Sequence, residues 1–267
     1  MFGTQSKMRL RKSLRRYLAL PLLQRPFQLL YRISLVGMNY GGAGSSLSAG
    51  DELALERVAR RCSVASPAVI FDVGANVGSY TKQALEICGD GAVVYAFEPG
   101  GAAFARLQKL FGTHPRVHLL NAGIGSAQGT ATLWSDAPGS VLASTYAGPL
   151  GSQATGEAIE IVTLDDVCEA RGITHIDLLK LDLEGGELDA LRGAVRLIEA
   201  GAIDLIQFEF GQPSLGARTY FVDIFQRLHP RYEIYRVLPH GLQRLSQYHE
   251  TLEVFMSTNY LAISRRP

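Results

Sequence analysis

The sequence predicts an α/β domain with a mostly parallel sheet, helices on both faces and a basic helical extension at its N-terminus. After residue 68, apolar runs of strand length alternate with helical patterns, as in parallel sheets whose strands are joined by helices. Residues 1–50 contain 8 basic residues and no acid, whereas the remainder has 18 basic against 25 acidic residues. We therefore expect an extension with a glycine-rich loop over residues 1–50 and one domain over residues 51–267.

Seven apolar runs are the predicted strands of this sheet. They lie at residues 68–71, 93–97, 117–121, 176–182, 203–210, 232–237 and 259–264. Helices are expected at residues 51–61, from Ser79 onward and at residues 187–200. The chain contains no internal repeats, so the pattern fits one seven-stranded domain.

Two loops rich in glycine and serine interrupt the pattern. The first, residues 37–50, is either a flexible linker or a lid that closes over a bound molecule. The second, residues 136–156, separates two segments, 131–135 and 159–164, that we predict to be short antiparallel strands. It either borders a binding site or is disordered, because length alone does not decide between the two.

A turn with two glycines, followed by a glutamate, predicts a nucleotide pocket. Gly74 and Gly78 follow the first strand, and Glu98 ends the second strand, 20 positions after Gly78, where a carboxylate can bind both hydroxyls of a ribose. Dinucleotide-binding turns have further glycines where this chain has Asn76 and Ser79. The turn therefore suits a phosphate-free nucleotide with an amino acid group, such as S-adenosylmethionine. For the glycines alone, a tight turn without a ligand is an equal alternative.

Several segments of the chain resemble the FkbM-type S-adenosylmethionine-dependent methyltransferases. The matching segments are residues 71–81, 96–99, 121–125, 163–166 and, above all, 176–187. Residues 259–263 extend the similarity to a bacterial subset associated with glycan or glycolipid modification. The resemblance implies a Rossmann-like class I methyltransferase fold and S-adenosyl-L-methionine as cofactor. It also implies O-methylation of a hydroxyl group, with a saccharide, glycolipid or related natural product as acceptor.

The residues expected to bind the cofactor lie in the glycine turn and at the tips of the first four core strands. They are Asp72, Gly74, Asn76, Gly78, Glu98, Asn121 and Asp182. Asn121 is placed to meet the adenine edge, although it could equally cap a turn. Asp182 is expected either to hold the methionine ammonium or to act as the base.

Four residues near the ends of the fourth and fifth core strands are the candidates for catalysis, because ligands of open α/β sheets bind at that edge. They are Asp182, Glu184, Glu209 and Lys180. Methyl transfer to oxygen needs an aligned acceptor and a base for the hydroxyl proton, which a carboxylate can supply. Structural alternatives are an ion-paired Lys180, a turn role for Glu184, and a helix N-terminal role for nearby Glu187.

We predict no metal site. Clustered carboxylates could bind a hard divalent cation, but the resemblance does not require one. The 6 histidines show no metal-ligand spacing such as His-Glu-x-x-His. His240 could reach an acceptor, although a turn beside Pro239 and Gly241 is its expected place.

Residues 7–20 predict a basic amphipathic helix, which Pro21 ends. Such a helix can lie on an anionic membrane surface, and the alternative is a helix docked on the domain with solvated arginines. A secretory signal is disfavoured by the short apolar core without a cleavage site, and a mitochondrial transit peptide is a minor option. Binding to nucleic acid is disfavoured because the domain behind the extension is acidic.

Cysteine usage predicts a cytoplasmic protein, and the basic helix over residues 7–20 predicts peripheral contact at the inner face of the membrane. The 3 cysteines cannot all pair within the chain and form no Cys-x-x-Cys motif, which favours a reducing compartment. No apolar run is long enough to span a bilayer.

Two other functions fit parts of the pattern. A nicotinamide-dependent sugar oxidoreductase or epimerase would also place Glu98 on a ribose, but it would need the missing glycines, and no Tyr-x-x-x-Lys pair occurs. A catalytically silent, membrane-associated binding protein on the same scaffold is the second, since a fold alone does not establish activity. The retained turn residues, Glu98 and Asp182 favour an active enzyme.

Overall fold

The computed structural model describes residues 14–42, 49–137, 140, 143–146 and 155–265. The chain divides into two compact units, with the boundary between Tyr40 and Gly41. Parts of the predicted 7–20 helix and of the 37–50 and 136–156 loops lie outside the described residues. Within the described part, no helix combines the length and the apolar character needed to cross a bilayer.

The first unit is helical in its described part. Residues 14–18 are helical, a 3-10 turn covers Pro21–Leu23, and helix α1 covers Gln24–Gly37. The sequence pattern does not predict α1, because prolines interrupt it at positions 21 and 26. A proline is tolerated in the first turn of a helix, where the backbone N–H has no partner in the helix, and Pro26 lies in that turn.

The second unit contains all the strands. They are β1 Ala68–Val73, β2 Ala92–Phe97, β3 Val117–Leu120, β4 Gly123–Ile124, β5 Gly129–Ser135, β6 Thr155–Val162, β7 Ile176–Leu181, β8 Ile203–Phe210, β9 Tyr232–Leu238, β10 Gly241–Leu245 and β11 Thr258–Ser264. Its helices are α2 Ala49–Ala59, α3 Ser79–Cys88, α4 Gly101–Phe111, α5 Leu164–Arg171, α6 Glu187–Arg192, α7 Val195–Glu199, α8 Pro213–Gly216 and α9 Phe221–Leu228.

The main sheet has eight strands in the order β10-β9-β11-β8-β7-β1-β2-β3. The five strands from β8 to β3 are parallel, whereas β11, β9 and β10 pair antiparallel. The Rossmann-like α/β prediction is confirmed, but the predicted count of seven strands is wrong. The missing strand is β10, an edge strand that mixes polar and apolar residues and forms a hairpin with β9. His240 lies in the turn of that hairpin.

A second sheet of three strands, in the order β4-β6-β5, stands beside the first. β5 and β6 pair antiparallel, with Ala131 opposite Ile159, which confirms the two predicted short strands. The predicted 136–156 loop is two residues too long at its end, because β6 already begins at Thr155. Of the connecting residues 136–154, the structure describes 136–137, 140 and 143–146.

The central strands are buried on both faces, which is why they form continuous apolar runs in the sequence. Along β1, Ile70 packs in one cluster and Phe71 in the other, and Leu178 and Leu179 divide in the same way along β7. All four side chains have no exposed surface. The two hydrophobic layers hold β1 and β7 in fixed positions, so the turns that follow these strands start from a rigid base.

The predicted helix over residues 187–200 is instead two helices, α6 and α7. The break lies at Gly193, where an added Cβ would come 2.1 Å from the carbonyl oxygen of Gly125. The backbone of the loop after β4 occupies the space that a continuous helix would need for a side chain. This contact joins α6 to the edge of the small sheet, next to the pocket described below.

Candidate active site

A pocket opens at the carboxyl ends of β1, β2 and β7 and is closed on one side by the three-stranded sheet. Its lining comes from the glycine turn, the tips of β2 and β7, and the small sheet with its loop. The residues are Gly74, Asn76, Glu98, Pro99, Gly123, Ile124, Leu133, Ser140, Ala143, Thr145, Ile159, Ile161, Asp182, Leu183, Glu184 and Gly186. This is the edge at which open α/β sheets bind ligands.

Gly74 joins the ends of two strands. Its φ is +81°, and an added Cβ would lie 1.9 Å from the carbonyl oxygen of Asp182. The N–H groups of Gly74 and Ala75 both donate to the carbonyl oxygen of Phe97, at 3.0 and 2.9 Å. The turn after β1 is thus fixed against β2 and β7 by its backbone, and glycine is needed for the close approach.

Gly78 has a different structural role from Gly74. It precedes α3 with a φ of +86°, and an added Cβ would come 2.5 Å from Phe111 and 2.7 Å from Leu107 of α4. Gly78 therefore permits close packing between α4 and the start of α3. It stands behind the turn, while Gly74 and Asn76 line the pocket.

Glu98 is held at the tip of β2 by two backbone amides. Its Oε2 accepts a hydrogen bond from the N–H of Asn76 and its Oε1 one from the N–H of Gly100, each at 2.8 Å. Burial raises the pKa of the carboxyl above its usual range, while the two N–H groups oppose that shift. Each carboxylate oxygen accepts more than one hydrogen bond, so Glu98 can still bind two hydroxyl groups in the pocket.

Asn76 offers an acceptor to the pocket. Its Nδ2 donates to the carbonyl oxygen of Ser140 at 3.2 Å, which ties the turn to the loop after β5. Its Oδ1 is buried and has no hydrogen-bond partner among the described residues. An unsatisfied buried acceptor costs about 1–3 kcal/mol. A bound donor such as an ammonium group would remove that cost.

Asn121 supports the tip of β2 from the neighbouring strand end. Its Nδ2 donates to the carbonyl oxygens of Glu98 and Pro99, at 2.8 and 3.1 Å. The side chain therefore fixes the backbone that carries the Glu98 carboxylate. Its Oδ1 is the atom left for the predicted contact with an adenine edge.

Asp72 lies beneath the turn and is fully buried. Its carboxylate accepts from the hydroxyl of Thr81 at 2.7 Å and from the ammonium of Lys180 at 3.2 Å. Lys180 Nζ is also 3.3 Å from Asp182 Oδ2. Lys180 thus connects an inaccessible acid to one that lines the pocket, so the predicted ion pairing of this lysine is present on both sides.

Three of the predicted catalytic acids come together beside the pocket. Asp182 and Glu184 line it, and both also line a small adjoining cleft with Glu209 and Glu187. The Asp182 side chain is 44% exposed, which makes it accessible to a ligand. The sequence prediction that these acids meet at one edge therefore agrees with the geometry.

Glu184 has an unusual backbone and an unusual acidity. Its φ is +48°, a left-handed conformation that is uncommon for a residue other than glycine. Burial, followed by the charges of Asp182 and Glu209, raises its pKa to about 7, and Lys180 opposes the shift. A carboxyl with this pKa exchanges a proton near neutral pH.

Glu187 supports the turn that carries Glu184. It is fully buried, and its Oε1 and Oε2 accept from the N–H groups of Leu183 and Gly185, at 2.8 and 3.1 Å. Burial raises its pKa to about 8. Sequence reasoning placed Glu187 at a helix N-terminus, where α6 does begin, but not as a partner of the preceding turn.

Residues of the loop after β5 complete the site, and sequence reasoning did not single them out. Ser144 Oγ donates to the carbonyl oxygen of Glu184 at 2.7 Å, and Tyr146 Oη donates to Asp189 at 2.5 Å. Burial raises the Tyr146 pKa above its usual range. Small polar residues in an irregular loop show no periodic pattern that would single them out. The signal that could mark the segment in the sequence was its glycine and serine content.

Metal-ligating atoms converge elsewhere in the described part of the chain. His175, Asp177 and Asp204 bring one ligand atom each within 4.8 Å of one another, at the amino ends of β7 and β8. That edge of the sheet is opposite the pocket. The buried thiols are weak nucleophiles, since burial raises the pKa of Cys88 and of Cys168 to about 12.

The fold is Rossmann-like class I, and the comparison with known protein families identifies the class of protein as a methyltransferase. The description "Methyltransferase FkbM domain" belongs to the family model that matches residues 72–237. Because this match covers more than half of the chain, the protein belongs to the FkbM methyltransferase family. The resemblance inferred from the motifs is confirmed, and S-adenosyl-L-methionine is the cofactor.

Two characterised relatives are similar to parts of the chain. Hexuronic acid methyltransferase AglP of Haloferax volcanii is 26% identical over 144 residues, which cover 54% of this chain and 56% of AglP. The 2-O-methyltransferase NoeI of Sinorhizobium fredii is 25% identical over 196 residues, which cover 66% of this chain and 76% of NoeI. The match thus spans a little over half the length of the first relative.

The solved structures to which the chain is similar include the N-terminal domain of human METTL16 in complex with SAH. This domain has 11% sequence identity with the chain and a TM-score of 0.42, over 81% of this chain and 68% of that domain.

Proposed function

We propose that the protein transfers a methyl group from S-adenosyl-L-methionine to a hydroxyl of a saccharide, glycolipid or related natural product. The observation that supports this most is the position of the acids Asp182 and Glu184 in the same pocket as Glu98. The carboxylate of Glu98, which suits a ribose, and those of Asp182 and Glu184, which suit a hydroxyl acceptor, thus line the same pocket. The names of the two relatives, a hexuronic acid methyltransferase and a 2-O-methyltransferase, agree with a sugar acceptor.

The cofactor fits the groups that the pocket presents. Glu98 would bind the ribose hydroxyls, and the buried Asn76 Oδ1, which has no partner among the described residues, would accept from the ammonium. Asp182 would add a negative charge on the same side. When bound, S-adenosyl-L-methionine supplies a methyl group on a positively charged sulfur.

Glu184 is the proposed general base for the acceptor hydroxyl. Its pKa of about 7 lies near the working pH, where a base is both deprotonated and able to bind the proton strongly. Asp182, paired with Lys180, would hold the acceptor or the ammonium, and Glu209 would keep the Glu184 pKa high through its charge. Lys180 would position Asp182, because the buried Asp72 fixes the ammonium from below.

The test of this function combines donor binding with methyl transfer. Calorimetry should show binding of S-adenosyl-L-methionine and none of a pyridine dinucleotide. Labelled donor should transfer its methyl group to hexuronic acids or other sugars with free hydroxyls, but not to the same sugars with those hydroxyls blocked.

A matched pair of variants assigns the binding to the pocket. Glu98→Gln should weaken donor binding by about 10-fold or more, because a charged acceptor for two hydroxyls is lost. Glu86→Gln, at an exposed acid paired with Lys82, should bind as the unmodified protein does. Unchanged affinity in Glu98→Gln would refute the site assignment, and donor binding without transfer to any sugar would favour the catalytically silent scaffold.

A further inference from the structure

Helix α1, in the first unit, exposes an unusual amount of apolar surface. Six of its large apolar side chains are between 39% and 74% exposed, with Val36 the most exposed, whereas Leu35 is buried. The six are Phe27, Leu29, Leu30, Tyr31, Ile33 and Val36. A contiguous apolar surface of this kind on one helix marks a site of interaction, whereas single exposed apolar residues do not.

The charged and amide side chains of α1 are confined to one side. With about 100° of rotation per residue, Gln24, Arg25, Gln28 and Arg32 fall within a sector of about 100°. The exposed apolar side chains occupy most of the remaining circumference. A helix with a narrow cationic face and a broad apolar face is typical of segments that lie in the boundary between lipid headgroups and acyl chains.

The charge of the unit points to the same kind of surface. The described residues up to position 40 include Arg15, Arg16, Arg25 and Arg32 and no acid. The segment before α1 continues the pattern with the exposed apolar residues Leu14, Tyr17 and Leu22. Such a segment is attracted to anionic lipids, by about 1 kcal/mol for each basic residue near the surface.

A second copy of the chain is a poorer partner for α1. Two such helices apposed through their apolar faces would cover only part of the broad apolar circumference and would give the arginines no acid to pair with. The length of α1 also fits a position parallel to the membrane. Its 14 residues extend about 21 Å, less than the thickness of about 30 Å of the hydrocarbon core.

We propose that residues 14–37 form an interfacial anchor, in which α1 inserts its apolar face among anionic lipids and keeps its arginines at the headgroups. The anchor extends the predicted contact of residues 7–20 to α1, whose apolar residues supply most of the inserted surface. It is independent of methyl transfer, so its test does not require an acceptor.

The test is flotation of the full-length protein with vesicles of phosphatidylcholine, with or without phosphatidylglycerol. Binding should require phosphatidylglycerol and should weaken as salt is raised, because salt screens the arginines. Leu29→Ser, Ile33→Ser and Val36→Ser combined should lower binding by at least about 10-fold. Gln24→Ser and Gln28→Ser combined, on the polar side, should bind as the unmodified protein does.

A second variant tests the charge separately. Arg25→Gln and Arg32→Gln combined should lower binding to anionic vesicles by about 5-fold for each arginine. Binding of S-adenosyl-L-methionine should stay unchanged in every variant, which shows that the second unit is folded. Equal binding to both kinds of vesicle, no binding at all, or a lipid-free dimer that the triple serine variant abolishes would each overturn the anchor.

Discussion

The two sides of the pocket are built in different ways. On the proposed cofactor side, Gly74, Asn76 and Glu98 are held mainly by backbone contacts between strand ends. On the proposed acceptor side, Glu184 depends on neighbouring charges and on a serine from an irregular loop. The cofactor side is therefore specified by backbone geometry, and the acceptor side by side-chain electrostatics. Substitutions on the two sides should fail in different ways, through folding on the first and through rate or pH dependence on the second.

The largest effect is expected for Gly74→Ala. The new Cβ would lie 1.9 Å from the Asp182 carbonyl oxygen at a φ of +81°, so the ends of β1 and β7 must separate. We expect a loss of at least about 3 kcal/mol in the free energy of unfolding, measured by urea denaturation. The control is Gly172→Ala, with a φ of +65° and no atom within 4 Å of the new Cβ, which should lose about 1–2 kcal/mol. Equal losses would show that the close approach is unimportant.

Glu184→Gln should leave folding intact and lower kcat by about 100-fold to 10,000-fold, with little change in donor affinity. In the unmodified enzyme, kcat should rise with pH through about 7, as the Glu184 carboxyl loses its proton. That limb of the pH profile should vanish in the variant.

Glu209→Gln serves as the matched control for Glu184. Removing the Glu209 charge lowers the Glu184 pKa, so the same limb should move to lower pH while the maximal rate is retained. If Glu209→Gln abolished the rate and Glu184→Gln did not, the base would be Glu209.

Asp72→Asn tests the connection between the two sides. It leaves the Lys180 ammonium without its buried partner, and breaking a buried ion pair in this way costs about 3–5 kcal/mol of the free energy of unfolding. Asp72→Asn with Lys180→Met should recover part of that loss in thermal or urea unfolding. Glu86→Gln, which removes an exposed pair with Lys82, should cost less than about 1 kcal/mol. A similar small loss in Asp72→Asn would mean that the buried pair does not stabilise the turn.

The smallest effect is expected for Ser144→Ala. It removes the hydroxyl that donates a hydrogen bond to the Glu184 carbonyl oxygen. We expect the activation free energy to rise by about 1–2 kcal/mol, which is roughly a 10-fold loss in kcat, with unchanged affinity for S-adenosyl-L-methionine. The control is Thr155→Ala, whose exposed hydroxyl donates to the carbonyl oxygen of Ser135 where β5 ends and β6 begins, at the base of the same loop. Thr155→Ala should change kcat by less than about 2-fold. Equal effects of the two substitutions would show that Ser144 does not support the turn that carries Glu184.

The sequence predicted best what depends on regular backbone. The strands, the glycine turn and Glu98 were recognisable because burial on both faces produces apolar runs and a close approach requires glycine. The missed elements lack such a signal: β10 is an edge strand with mixed polarity, and prolines at positions 21 and 26 interrupt the pattern at α1. The break at Gly193 depends on the backbone of Gly125, a contact that is distant in the sequence.

The candidate site follows the same division. That the acids meet at the ends of β7 and β8 could be predicted from strand order. The pKa of Glu184 could not, because it arises from burial and from the distances between charges that only the folded chain fixes. The hydrogen bond from Ser144 to Glu184 could not be predicted either, because the sequence does not show which acceptor a serine in a loop will contact.

That hydrogen bond limits how the enzyme can be redesigned. Ser144 belongs to the loop beside the proposed acceptor space, and its hydroxyl donates a hydrogen bond to the carbonyl oxygen of Glu184, the proposed base. Engineering the loop for a new sugar would therefore tend to shift the proton acceptor as well. Libraries that diversify the loop but keep position 144 as serine should yield more active catalysts than libraries that randomise it.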